Sequence, residues 1–136
     1  MATKKQILQA LEGVPLFSRC SARDLKGVAR HVETIDIDAG RDVVRQGDDG
    51  DALFVVLTGT LDVIRDGTVV RTLESGDYFG ELALLDPAPR AATVTTTEAT
   101  ELAAISVRMF RVLLREIPGL GQKLLADMAG RVRDAG

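Results

Sequence analysis

The chain has 136 residues, with 17 basic and 20 acidic side chains and a net charge of −3 at pH 7. This length suits one domain with one modest core, and the acidic balance argues against a nucleic-acid binder, which usually carries a basic surface. No apolar run approaches membrane-spanning length and no signal-peptide core follows Met1, so we expect a cytoplasmic protein without a membrane partner. Cys20 is the only cysteine, which excludes an internal disulfide.

Two short helices are predicted within residues 1–31. Apolar residues at helical spacing predict the first over Lys4 to Leu11, and Gly13 ends it. The second is predicted over Ser21 to His31, because Ser21 and Asp24 form a capping-box pattern at its start.

From Val32 the spacing of the apolar residues changes from that of a helix to that of a strand. Glycine-containing turns recur about every eight to twelve residues, as is typical of a sandwich or barrel. Asp66-Gly67 is the clearest hairpin turn. The predicted strands are Val32–Ile37, Val43-Val44, Leu53–Leu57, Leu61–Val63, Val69–Leu73, Ala91–Thr97 and Leu102–Ile105.

Residues 107–136 are predicted to be helical again, with a break at Pro118-Gly119. The last helix carries an apolar stripe, for which core packing is the simplest interpretation. The residues of that stripe are Leu120, Leu124, Leu125, Met128 and Val132.

The most specific signal is the segment 79–94, Phe-Gly-Glu-Leu-Ala-Leu-Leu-Asp-Pro-Ala-Pro-Arg-Ala-Ala-Thr-Val. Gly80 lets the backbone approach a ligand closely, and a helical turn from Glu81 to Leu85, ended by Asp86-Pro87, presents unpaired N–H groups to an anion. Arg90 offers a planar fork of donors to a phosphate, whereas Glu81 accepts hydrogen bonds from a hydroxyl. A surface Glu–Arg pair is the alternative, but the combination favours a nucleotide monophosphate pocket.

This segment closely resembles the phosphate-binding cassette of the cyclic nucleotide-binding domain family, to which regulatory subunits of cAMP-dependent protein kinase and catabolite activator proteins belong. We call residues 79–94 the cassette. The family pattern is matched at almost every position, and the glycines from Gly40 to Gly59 extend the resemblance over the domain. It implies a mainly β fold in a single domain, 1–136. An eight-stranded antiparallel, jelly-roll-like β-roll (32–106) lies between N-terminal helices (1–31) and C-terminal lid helices (107–136).

The resemblance also implies a role for individual residues. Glu81 would hold the ribose 2′-hydroxyl and Arg90 the cyclic phosphate, and the final helix would close over the base as a lid. The anion site would be completed by Gly80, Leu82, Ala83 and Ala91, with Val63 as an apolar wall and Leu125, Met128 and Arg131 as candidate lid contacts. Family members that favour cGMP often carry Thr or Ser where this chain has Ala91, so we expect cAMP, with cGMP the less favoured ligand.

Three other functions are alternatives to this one. A metal-dependent cupin enzyme needs several histidines, but the only histidine is His31, which precedes the roll, so we expect neither catalysis nor a metal or other cofactor. The chain could also be the sensor half of a larger regulator; because only four residues follow Val132, we expect no DNA-binding domain within it.

The remaining alternative is a module of the same fold that binds a partner protein and no nucleotide. Glu81 and Arg90 argue against it, because without a ligand we expect two unpaired charges in the cavity. We therefore predict a cytoplasmic cAMP sensor whose effector the sequence does not name.

Overall fold

Both N-terminal helices begin with reciprocal caps in the computed structural model, which describes residues 3–84 and 88–135. Helix α1 (Lys4–Glu12) is capped by Thr3 and helix α2 (Ala22–Ala29) by Ser21. The Ser21 hydroxyl accepts a hydrogen bond from the Asp24 backbone N–H at 3.1 Å, and the Asp24 carboxylate accepts one from the Ser21 N–H at 3.0 Å. The predicted capping box is confirmed. Between the helices, Pro15–Phe17 forms a short 3-10 helix, in which Leu16 and Phe17 are buried.

Eight antiparallel strands form two four-stranded sheets, which confirms the predicted β-roll. The strands are β1 (Glu33–Ile37), β2 (Asp42–Val44), β3 (Ala52–Thr58), β4 (Leu61–Arg65), β5 (Thr68–Leu73), β6 (Tyr78–Phe79), β7 (Thr93–Thr96) and β8 (Thr100–Ser106). Their order is β1-β8-β3-β6 in one sheet and β2-β7-β4-β5 in the other. The two-residue strand β6 had not been predicted, because it is too short to show an alternation.

Strand β3 is buried on both faces, which explains its uninterrupted apolar sequence. Leu53 and Val55 belong to the core shared with the helices, whereas Phe54 and Val56 belong to the core between the sheets. Phe54 stacks on Phe79 with 5.0 Å between ring centroids, so the start of the cassette is fixed to the inner core.

The predicted hairpin turn is present between β4 and β5. Asp66 and Gly67 both have positive φ angles, 52° and 80°, as a two-residue hairpin turn requires. A register shift between Val63 and Ile64 then pairs Val63 with Arg71, so these two side chains lie on the same face of the sheet.

Two helices follow the roll: α3 (Val107–Glu116) and α4 (Pro118–Ala135). Ile117 separates them in an extended conformation, so the predicted break is present, but it lies one residue earlier than expected, and Pro118 and Gly119 are the first residues of α4. A Cβ atom at Gly119 would lie 2.4 Å from the carbonyl oxygen of Arg19, so this glycine lets the start of α4 pack against the N-terminal segment. Among the described residues, no helix combines the length and apolar character needed to span a bilayer.

Replacing Gly59 with alanine is expected to lower the free energy of unfolding by about 3 kcal/mol, since strain and overpacking add. Gly59 has a φ angle of 101°, and a Cβ there would lie 2.7 Å from the Cα of Thr100. Gly67→Ala is the matched control, because its φ is also positive but a Cβ would meet nothing within 4 Å. It should cost only about 1 kcal/mol. Urea denaturation measures both, and equal losses would contradict the proposed clash.

Candidate functional site

The cassette forms one wall of a cavity of about 630 Å³ between the roll and α4. All the predicted contact residues except Met128 and Leu125 line it: Val63, Gly80, Glu81, Leu82, Ala83, Arg90, Ala91 and Arg131. The segment Glu81–Leu84 is a 3-10 helix rather than an α-helical turn. The predicted end of that turn, at Leu85 to Pro87, lies outside the described residues.

The guanidinium of Arg90 lies against two glycines, at positions where a larger residue would clash with it. A Cβ at Gly80 would come within 2.8 Å of Arg90 Nη1, and one at Gly50 within 2.0 Å of Arg90 Nε. Gly80 also has a φ angle of 91°, a backbone conformation that favours glycine. Glycine at both positions therefore leaves the space that the guanidinium occupies beside the cavity.

The backbone of Arg90 is tied to the turn after β2. Its N–H donates to the Asp48 carbonyl at 2.8 Å, and its carbonyl accepts from the Gly47 N–H at 2.9 Å. In the side chain, Nη2 donates to the Ala52 carbonyl at 2.9 Å, whereas Nε is buried without a hydrogen-bond partner among the described residues. Burial lowers the pKa of Arg90, although the nearby carboxylate of Asp51 opposes this. The guanidinium stays charged at neutral pH and keeps donor capacity for a ligand.

Glu81 is buried, and its carboxylate is paired with the guanidinium of Arg131 on α4. Burial alone would lower the pKa of Arg131, but the charge and hydrogen bond of Glu81 outweigh it, so this pKa is raised. We had expected that the charges of Glu81 and Arg90 would be unpaired without a ligand. That expectation is wrong for Glu81, which is paired with Arg131, whereas Arg90 donates one hydrogen bond to the neutral Ala52 carbonyl and has no ion pair among the described residues.

A polar chain continues from this ion pair along α4. The Arg131 guanidinium lies over the Tyr78 ring, 5.2 Å from its centroid. The Tyr78 hydroxyl donates to Asp127 Oδ2 at 2.9 Å, and Lys123 Nζ donates to Asp127 Oδ1 at 2.9 Å. Burial, reinforced by the hydrogen bond to Asp127, raises the pKa of Tyr78, so its hydroxyl remains a donor.

A side chain of helix α3 binds the C-terminal end of the 3-10 helix. Arg111 Nη2 donates to the carbonyls of Ala83 at 3.3 Å and Leu84 at 3.2 Å, which are acceptors at a helix C-terminus. The sequence indicates no role for Arg111, because its charge alone does not show that it contacts the cassette.

The structure does not bring Met128 or Leu125 to the cavity wall. Met128 is partly buried against the core beneath the helices, and Leu125 is 67% exposed. Arg131 is the only one of the three proposed lid residues that lines the cavity. All three share the same helix, and the helical period alone could not tell which of them faces the cassette.

The charges around the cavity favour an anion. Its charged lining residues, within the described ranges, are one carboxylate, Glu81, and four guanidinium groups, those of Arg65, Arg71, Arg90 and Arg131. Arg65 and Arg71 come from the β4–β5 hairpin and were not predicted. No sequence signal identified Arg71, because the two-residue turn alone would pair Val63 with Val70, and the register shift between Val63 and Ile64 brings Arg71 opposite Val63 instead.

Comparison with known proteins agrees with this geometry. Residues 34–116 match the family model described as "Cyclic nucleotide-binding domain". The cAMP-dependent protein kinase regulatory subunit of Mycosarcoma maydis is 39% identical over 129 residues, which are 88% of this chain and 25% of that protein. The chain thus spans about a quarter of the length of the relatives that it matches.

Two solved structures extend the comparison. The regulatory domain of Toxoplasma gondii PKA, co-crystallised with cAMP, is 38% identical with a TM-score of 0.71, over 81% of this chain and 44% of that one. The catabolite activator protein of Thermus thermophilus is 30% identical with a TM-score of 0.82, over 89% of this chain and 59% of that one. The chain belongs to the cyclic nucleotide-binding domain family.

Proposed function

We propose that this domain binds cAMP and acts as the sensor module of a regulatory protein in the cytoplasm, without catalysis of its own. The observation that carries the proposal is the cavity, where the carboxylate of Glu81 and the guanidinium of Arg90 flank the amide groups at the start of one 3-10 helix. The relatives add support, because they are named as cAMP-dependent protein kinase regulatory subunits.

Each part of the nucleotide has a chemical counterpart in this proposal. Arg90 and the backbone amides from Leu82 and Ala83 bind the cyclic phosphate, because donors and positive charge converge there. Glu81 accepts the ribose 2′-hydroxyl. Val63, Leu82 and Ala91 offer apolar surface to the sugar and base, and Ala91 carries no hydroxyl to reach a guanine amino group.

The effector that responds to the nucleotide-bound domain is either a further domain of the same protein or a separate protein. The relatives suggest a protein kinase catalytic subunit as one class of partner, since they are regulatory subunits by name. Titration of cAMP binding with and without a candidate effector would measure that coupling.

The direct test is thermal and calorimetric titration of the 136-residue protein with cAMP, cGMP and 5′-AMP. A ligand that binds only the folded state stabilises it by about 2.7 kcal/mol at a hundredfold excess over Kd. For a domain of this size, the expected rise in Tm is a few degrees. We expect this shift with cAMP, a smaller one with cGMP and none with 5′-AMP, whose additional charge and open phosphate fit the cassette poorly. Equal shifts with cAMP and 5′-AMP would indicate a general phosphate site instead.

A further inference from the structure

The turn between β2 and β3 surrounds the side chain of Arg90 as well as its backbone. A Cβ atom at Gly50 would lie 2.0 Å from Nε and 2.4 Å from both Cζ and Nη2 of Arg90. A Cβ at Gly80 would lie 2.8 Å from Nη1. Gly50 therefore lies against the Nε edge of the guanidinium, and Nη1 is the nitrogen nearest to the cassette glycine.

The main chain is fixed on both sides of Gly50. The Asp48 carbonyl accepts a hydrogen bond from the Arg90 N–H at 2.8 Å, and the Asp51 carbonyl accepts one from the Val107 N–H at 2.7 Å, at the start of α3. A side chain at residue 50 would therefore be accommodated by movement of the flexible guanidinium rather than of the turn.

The backbone conformation of Gly50 does not itself require glycine. Gly47 and Gly80 have positive φ angles of 88° and 91°, but Gly50 is not among the glycines with a positive φ. Alanine at residue 50 is therefore free of the strain of the left-handed region. The three atoms nearest to the added Cβ all belong to Arg90, so the requirement for glycine here comes from that side chain.

We propose that Gly50 is a positioning residue, which fixes the Arg90 guanidinium by leaving space for it and so determines how tightly the site binds a phosphate. The proposal rests on the function proposed above, because it assigns Arg90 to the cyclic phosphate. Gly50 acts only through Arg90, since it is not one of the described residues that line the cavity.

The few contacts of the guanidinium explain why its position depends on that space. Nη2 donates one hydrogen bond, to the Ala52 carbonyl, and Nε has no partner among the described residues. A methyl group at residue 50 would occupy the place of Nε and displace the whole planar group. A charge-assisted hydrogen bond to a phosphate depends on the distance and direction of its donor, so the displaced group binds the ligand more weakly.

The test compares Gly50→Ala with Gly27→Ala, which adds the same methyl group in α2, where a Cβ would meet nothing within 4 Å. Calorimetric titration is expected to show that G50A binds cAMP about thirtyfold more weakly than the wild type, as loss of a hydrogen bond to a charged group predicts. G27A should bind cAMP as the wild type does. Unchanged affinity in G50A would overturn the proposal.

The Tm of nucleotide-free G50A should change by less than about five degrees, because at most one hydrogen bond, that to Ala52, is lost. A larger fall in Tm would mean that the turn gives way instead of the guanidinium, which would also overturn the proposal.

A double-mutant cycle distinguishes this role from general damage to the site. In Arg90→Ala the space beside residue 50 is empty, so adding G50A should leave the remaining cAMP affinity unchanged, as measured by NMR titration at high nucleotide concentration. If G50A weakens binding by the same factor in both backgrounds, residue 50 acts independently of Arg90 and the proposal is wrong.

The Nε–H signal of Arg90, assigned by its absence from R90A, gives a readout that needs no nucleotide. Nε is buried in the wild type, so its proton should exchange slowly with water, and G50A should accelerate this exchange about tenfold or more. Equal exchange in the two proteins would show that residue 50 does not fix the guanidinium. If the wild type binds no cAMP, the proposed function fails, whereas this comparison still reports whether Gly50 positions Arg90.

Discussion

Replacing Arg90 with alanine is expected to weaken cAMP binding by about 2–5 kcal/mol, the usual result of truncating one member of a buried charge pair. The loss is large because the guanidinium is partly buried, positioned by two glycines and tied through its backbone to the Gly47-Asp48 turn. Its phosphate contact is charge-assisted and suited to a bidentate geometry. Calorimetric titration measures the change directly. Lysine should restore little of the affinity, since it lacks the planar fork.

The control is Arg45→Ala, which removes a 71% exposed guanidinium paired with Asp42 on the surface. We expect it to leave cAMP affinity unchanged. The stability of the nucleotide-free R90A variant should change by only about 1 kcal/mol, because the side chain contributes one hydrogen bond, to Ala52. A loss of cAMP affinity smaller than about tenfold, or 1.4 kcal/mol, would remove Arg90 from the phosphate site.

Features that depend on neighbouring residues were predicted correctly from the sequence. The Ser21 cap, the Asp66-Gly67 turn and the helix break at Pro118 each depend on local backbone preferences that residue type specifies. The β-roll was predicted from the resemblance of the cassette and the glycine pattern to the family. The same resemblance predicted that Glu81 and Arg90 share one site, and both line the cavity.

Contacts between distant parts of the chain were not predictable in the same way. Arg131 and Glu81 are fifty positions apart in sequence, and their pairing depends on how α4 crosses the roll. The apolar period of α4 includes Met128 but not Arg131, and it identifies a helix face without saying which element that face meets. Arg111 carried no signal beyond its charge, since the carbonyls that it binds belong to a 3-10 helix formed only in the folded domain.

The two charged groups of the proposed site contribute differently to selectivity. Arg90 is proposed to bind a charge that every phosphate carries, so it would not separate cAMP from other nucleotides. Glu81 is proposed to accept a hydrogen bond from the 2′-hydroxyl, which a deoxyribonucleotide lacks. Selectivity for a ribonucleotide is therefore expected to reside in the carboxylate, which makes Glu81 the more informative position to test.

Removing the 2′-hydroxyl from the ligand is expected to cost the wild type about 2 kcal/mol, roughly a thirtyfold loss in affinity, as for a hydrogen bond to a charged group. Against Glu81→Gln, which keeps the shape of the side chain but not its charge, 2′-deoxy-cAMP should lose only about fivefold relative to cAMP, since a neutral hydrogen bond is weaker. The four affinities form a double-mutant cycle, in which effects common to both ligands cancel. Loss of the Arg131 pair in E81Q is such an effect, because both ligands meet the same altered protein. Glu98→Gln, at an exposed turn, is the matched control and should show the wild-type penalty. If the deoxy ligand loses the same factor in the wild type and in E81Q, the ribose does not bind Glu81, and the hydroxyl must be recognised elsewhere in the cavity.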